Sequence, residues 1–152
     1  SDLKAAQLKA AMELGKRAMA EPLSSGTRIA SSAHLFRHFH PGMRDLKREV
    51  FKVVMVDAKN ALIRAVTVSE GSLTLSIVHP REVFALAVRE SAAGVIFLHN
   101  HPSGDPTPSV EDRRLTERLV AAGELLGILV LDHLVMGDGR YVSFADEGWL
   151  SR

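Results

Sequence analysis

Cysteine is absent from these 152 residues. That absence excludes disulfide frameworks, thiolate zinc sites and cysteine nucleophiles, so any metal must be held by nitrogen and oxygen. Long apolar runs are missing as well: nothing approaches the ~20 residues a membrane-spanning helix needs. The N-terminus is charged and alanine-rich and does not read as a secretory signal. Charge of one sign is also lacking, since 19 basic residues face 18 acidic ones for a net charge of +1. A nucleic-acid-binding domain usually carries a basic excess or stripe. The densest basic patches here, Arg44-Asp45-Leu46-Lys47-Arg48 and Arg113-Arg114, are short and broken by acids, and read as solvated helix faces. Nucleic acid is therefore not expected to be this chain's own ligand, and a cytoplasmic location is expected.

What is present suits a globular protein. Apolar residues make up 46% and charged residues 24% of the chain, close to the globular average. A domain of this length buries roughly two thirds of its unfolded surface.

Residues 3–20 read as a helix from their alanine, leucine, lysine and glutamate content, with Leu3, Ala6, Ala10 and Leu14 at helical spacing. Pro22 to Gly26 is a break. Ser31 or Ser32 can cap a short helix through Phe39, ended by Pro41-Gly42. Residues 1–44 are thus expected to form a helical arm too short to enclose a core, and residues 45–152 the domain proper. From Val50 the texture turns β-branched: Val50–Asp57 and Leu62–Val68 read as a hairpin around Ala58-Lys59-Asn60. Ser72–Val78 reads as a third strand. Pro80 suits the first turn of a helix to about Glu90, with Val83, Leu86 and Ala87 inward. Gly94–Leu98 is a short strand apolar on both faces. After a loop over residues 99–108, Ser109 opens a helix to about Leu126, followed by a strand over Ile128–Val135. A tight turn at Gly137-Asp138-Gly139 then leads to a hairpin partner over Tyr141–Phe144. The expected class is α+β, an α-β-α sandwich with a mixed sheet.

The informative stretch is His99-Asn100-His101-Pro102-Ser103-Gly104 followed by Ser109-Val110-Glu111-Asp112. Alternation at a strand end puts His99 and His101 on one side. A carboxylate in the first turn of the next helix, Asp112, completes a three-ligand set with a fourth position left for water, the arrangement of catalytic zinc. Each part has a plainer reading. A lone His-x-His is a weak metal signal, and Ser109 with Asp112 three residues on is also a capping box. The combination carries the metal reading.

With these residues in view, His99-x-His101-Pro102-x6-Ser109-x2-Asp112 resembles the JAMM (MPN-plus) metallopeptidase motif at every defining position. Three further segments resemble the bacterial RadC family: His79-Pro80-Arg81-Glu82, His99 through Asp105, and Leu131-Asp132-His133. The resemblance spans about residues 45–150. It implies a JAMM/cytidine-deaminase-like fold and one zinc ion per chain, held by His99, His101 and Asp112. It also implies that the N-terminal helix is the end of a preceding helix-hairpin-helix-like region. Relatives of this type need a glutamate that takes a proton from the attacking water, in a position like that of Glu49. Glu82 and Glu70 are rivals with plainer readings, as a helix N-terminal acid and a turn residue. Ser109 resembles the motif serine that donates to a tetrahedral oxyanion.

Other polar residues carry smaller expectations. Asp132 and His133 read as a structural pair, as a second layer behind the site or as an entrance to its cleft. His79 reads as a turn residue, the cluster His34, His38 and His40 as a surface face, and Trp149 as a cover over a core edge. The leading expectation is a zinc-dependent hydrolase of peptide or isopeptide bonds. A DNA-repair-associated factor and a catalytically silent metal-binding scaffold remain as alternatives. A peptide or protein substrate is expected, along an exposed sheet edge such as the Val50–Val68 hairpin, which can instead serve a homodimer.

Overall fold

The structure, a computed structural model, describes residues 1–19, 23–71 and 78–150. The strand expected over Ser72–Val78 lies outside these residues except for Val78.

The sheet forms from runs whose burial explains their composition. Strand β1 (Val50–Val56) is buried at all but Lys52 and pairs antiparallel with β2 (Leu62–Glu70). The turn between them is held by Asp57, whose Oδ1 accepts from the Lys59 and Ala61 N–H groups at 2.8 and 3.0 Å. Helix α3 (Pro80–Arg89) starts on a proline, as expected. Strand β3 (Gly94–Asn100) is buried along its whole length and lies antiparallel to β1. Helix α4 (Val110–Leu126) ends on Gly127, whose φ of 70° is left-handed. It returns the chain to β4 (Leu129–Met136), parallel to β3, and β5 (Tyr141–Ser143) closes a hairpin on β4. Among the described residues the sheet has five strands in the order β2-β1-β3-β4-β5.

The two faces of this mixed sheet bury separate cores. On one, Phe51, Val53, Met55, Val95 and Phe97 meet Val83, Phe84 and Ala87 of α3 and Leu115 and Leu119 of α4. On the other, Val54, Val56, Ile96, Leu98 and Leu134 meet Leu35 and Met43. Those two residues belong to helix α2 (Ser32–Met43). The α-β-α layering is thus present, and α2 supplies its second outer layer. This corrects the assignment of residues 32–43 to an arm. It also corrects the end of the helix: α2 runs through Pro41. The hydrogen bond that Pro41 cannot donate falls in the last turn, where burial of Met43 and an Arg44 N–H bond to the His40 carbonyl (2.8 Å) hold the helix together. Ser31 is its cap, accepting from the His34 N–H at 3.1 Å. Helix α1 (Asp2–Met19) does lie outside both cores: Leu3, Leu8, Met12 and Leu14 are exposed, and Lys16 pairs with Asp45 at 2.7 Å.

Candidate metal centre

Strand β3 is longer than its apolar run suggests. It continues through His99 and Asn100, because His99 pairs with Phe51 on one side and Val135 on the other. His99 is therefore completely buried in the middle of the sheet. His101 follows just beyond, its N–H tied to the Met136 carbonyl at 2.8 Å. The loop after it is bound internally. Asp105 Oδ1 accepts from the Thr107 N–H and hydroxyl at 3.0 and 2.7 Å, and Gly104 takes the left-handed φ of 89°. The turn at residues 137–139 braces this loop: the Asp138 N–H donates to the Gly104 carbonyl at 2.9 Å. A Cβ at Gly137 would collide with that same carbonyl. The chain then enters α4 through a complete capping box. Ser109 Oγ accepts from the Asp112 N–H at 3.0 Å, and the Ser109 N–H donates to Asp112 Oδ2 at 2.8 Å. The box turns the Asp112 carboxylate back toward the strand.

Three side chains converge as a result. His99 Nε2 lies 3.1 Å from His101 Nε2, His99 Nε2 lies 3.2 Å from Asp112 Oδ1, and His101 Nε2 lies 3.0 Å from Asp112 Oδ2. Zinc–nitrogen bonds of ~2.0–2.1 Å in a tetrahedron set ligand atoms ~3.3 Å apart, so the spacing suits such an ion. The donor chemistry agrees. His101 Nδ1 lies 2.8 Å from the Asp105 carbonyl, an acceptor only, so Nδ1 carries the proton of the neutral ring and Nε2 is left with its lone pair. That lone pair faces a carboxylate that is itself an acceptor. Atoms of this kind at this distance call for a cation between them, and the trio can hold a metal ion.

Electrostatics follow from the same contacts. A proton on His101 Nε2 is one such cation: donated to Asp112, it raises the His101 pKa above its ordinary value, against the cost of burial, with the negative charge of Glu49 adding to the rise. Burial disfavours the charged form of Asp112, but the His101 and His99 rings, which donate to it when protonated, outweigh that cost and hold the carboxyl far below the usual carboxylate range. His133 is entombed, and burial pushes its pKa well below the ordinary histidine value, so the ring is neutral.

The remaining predicted residues fall in distinct places. Glu49 is half-buried, one residue before β1. Phe51 pairs with His99 at the end of the antiparallel β1–β3 ladder, and the negative charge of Glu49, two residues before Phe51, is felt at His101, two residues after His99. Glu82 sits exposed in the first turn of α3. Glu70 ends β2, with Arg48 at 3.6 Å. His79 is the N-cap residue of α3. Of the α2 histidines, His40 departs from the surface reading. It is buried, with Nε2 3.0 Å from the Gly137 carbonyl, and so docks α2 on the turn that braces the metal loop. Trp149 packs edge-on against Phe144 and under the Arg113 guanidinium. Asp132 holds the β5 end, accepting from Ser143 and from the Ala145 and His133 N–H groups. His133 instead reaches the site, with Nε2 2.7 Å from His99 Nδ1.

Two contributors escaped the sequence reading. Asn100, between the histidines, is buried and bonds the backbone around Glu49; nothing in its spacing signals that. Thr116 bonds both His133 and the Asp112 carbonyl. Its position four residues after Asp112 on one helix face was a legible cue.

Comparison with known proteins agrees with this geometry. Residues 29–149 match the family described as RadC-like JAB domain, a span that includes α2. Over 147 residues, 97% of the chain, it is 58% identical to a UPF0758 protein of Trichlorobacter lovleyi and 57% identical to one of Syntrophotalea carbinolica. It is 50% identical to another from Methanosarcina mazei over the same length. The chain spans 64%, 65% and 64% of those relatives' own lengths. A sheet layered by helices on both faces, with two histidines and an aspartate converging at the end of its central strand, places this chain in the RadC-like JAB domain family.

Proposed function

We propose that this domain is a zinc-dependent hydrolase of amide bonds acting on a peptide or protein. The observation that carries the reading is the meeting of His99, His101 and Asp112 within 3.2 Å, with the charge of Glu49 felt at His101. A zinc ion held by these three residues supplies Lewis acidity and brings the pKa of water to ~7. Glu49, whose charge reaches His101, takes the proton from the attacking water, then returns it to the departing amine. Ser109 has its hydroxyl proton to spare, because its Oγ accepts rather than donates in the capping box. That proton serves the developing oxyanion, a contribution typically worth ~3 kcal/mol. Asp112 and His101 keep their ligand atoms aimed through the Ser109 N–H and the Asp105 carbonyl.

The test joins metal content to turnover. The purified domain is expected to carry about one zinc per chain and to cleave members of a peptide and isopeptide library, with activity abolished by chelation and restored by zinc. His101→Ala should lose the metal while remaining folded, since His101 lies at the rim rather than in either core. Glu49→Gln should keep the metal and lose hydrolysis, and Glu82→Gln should resemble the parent. Full zinc occupancy in His101→Ala removes the site from this account. An active Glu49→Gln removes the base.

A further inference from the structure

Behind the three candidate ligands lies a chain of hydrogen bonds that belongs to neither core. Thr116 Oγ1 donates its only proton to the Asp112 carbonyl at 2.8 Å. The same oxygen lies 2.6 Å from His133 Nδ1. With its proton committed, that oxygen can only accept there, so His133 Nδ1 carries the single proton of its neutral ring. His133 Nε2 is then a bare acceptor, 2.7 Å from His99 Nδ1, which must be the protonated nitrogen of His99. The last nitrogen in the series, His99 Nε2, is left with its lone pair, directed at His101 and Asp112.

We infer that Thr116 and His133 are positioning residues that select the His99 tautomer able to bind a metal. Their role rests on the metal site proposed above. The chain runs through an aromatic setting: Thr116 and His133 are buried, and Phe51, Phe97 and Phe144 ring the His133 imidazole at 4.9–6.0 Å. The loop closes on itself, since Thr116 and Asp112 lie on the same face of α4 and the relay starts at the carbonyl of one ligand and ends on another. Removing the Thr116 hydroxyl strands the His133 Nδ1–H against a methyl group. The favoured response is for His133 to move its proton to Nε2 and His99 to move its own to Nε2, which caps the atom the metal needs.

The test uses zinc affinity measured by competition with a chromophoric chelator, so it needs no substrate. Thr116→Val keeps the shape and deletes the hydroxyl; Thr116→Ser restores it. Thr116→Val is expected to weaken zinc binding by ~10–100-fold, the range seen when the partner behind a ligand is removed, while Thr116→Ser stays within about threefold of the parent. Unfolding of each metal-free variant, followed in parallel, separates this from general damage. A purely structural threonine would lower stability in Thr116→Val and leave the affinity unmoved. In the zinc-loaded parent, ring nitrogen-15 shifts should show His99 protonated at Nδ1 and His133 protonated at Nδ1. A Thr116→Val protein that binds zinc like the parent, or a His99 protonated at Nε2 in the loaded parent, overturns the inference. A parent that binds no zinc overturns the metal site itself, a distinct outcome.

Discussion

Asn100 grips the main chain on both sides of Glu49. Its Oδ1 accepts from the Val50 N–H at 2.7 Å and its Nδ2 donates to the Arg48 carbonyl at 3.0 Å. The two bonds fix the amide orientation, since a donor faces the oxygen and an acceptor faces the nitrogen. They also hold the entry to β1 in register with the end of β3 just where the ladder stops.

Replacing Asn100 by leucine deletes the grip and keeps the volume. Zinc content should be unchanged, because the Asn100 side chain bonds the Val50 and Arg48 backbone rather than a ligand side chain, while amide hydrolysis should fall by ~10²-fold, the cost of misplacing a reacting group by about an ångström. Asn100→Asp keeps the bond to Val50 but sets an acceptor against the Arg48 carbonyl, and should be impaired as well. Zinc content and turnover measured on the same preparations check this. Undiminished turnover in Asn100→Leu would show that Glu49 is held by other means or is not the base.

Ser109 caps α4, and on the proposed mechanism it also donates to the oxyanion. As the cap of α4 its replacement by alanine should cost ~1 kcal/mol in denaturant unfolding. As an oxyanion donor the same change should cut turnover by ~10²-fold or more. Ser109→Asp preserves a good cap but sets a negative charge against the oxyanion, so it should fold about as stably as the parent and fail to hydrolyse. Turnover like that of the parent would leave Ser109 a cap alone.

Asp132 makes a prediction about pH. Burial raises its pKa above the ordinary 3.8, opposed by bonds from Ser143 and from the Ala145 and His133 N–H groups. A carboxyl whose folded pKa is raised holds its proton more tightly in the folded state. Its contribution therefore favours folding below pH 3.8 and is lost as pH rises through the raised value. Asp132→Asn keeps an acceptor for the two N–H groups and offers Nδ2 to the Ser143 oxygen, without a charge to bury. The mutant should be at least as stable as the parent at about pH 7, and the parent should gain on it toward about pH 4. Chemical denaturation at both pH values reads the difference. A parent that loses ground to the mutant on acidification would mean the ionised form is the stabilised one.

The fold was legible wherever local pattern and tertiary demand coincide. Val50–Val56 and Leu62–Glu70 announce a hairpin, and Pro80 and Ser109 announce helix starts. The match failed where partners distant in sequence decide. Phe39 to Met43 reads as a helix end by its proline and glycine, yet Met43 is needed in the second core. His99 reads as a loop residue, yet Phe51 and Val135 draw it into the ladder. The ligand trio was readable because its members lie close in sequence, on a strand end and the helix that follows. Asn100 and His40 were not assigned their duties, and His133 only as one of several readings, because each acts through a partner far along the chain: the Arg48 and Val50 backbone, Gly137 and His99.

That difference in sequence distance also orders the events of folding. Residues 99 to 112 form one strand–loop–helix unit, and its ligands can approach each other by closing a short loop. Glu49 joins them only through the antiparallel pairing of β1 with β3, a contact across some fifty residues whose loop costs more to close. Metal capture and hydrolytic competence therefore have different entry requirements. A chain whose β1–β2 hairpin has not yet docked, or has frayed from the edge, can carry its metal without the glutamate in reach. On the function proposed above, the incomplete protein would be loaded but inert, and would act as a hydrolase only once its sheet is whole.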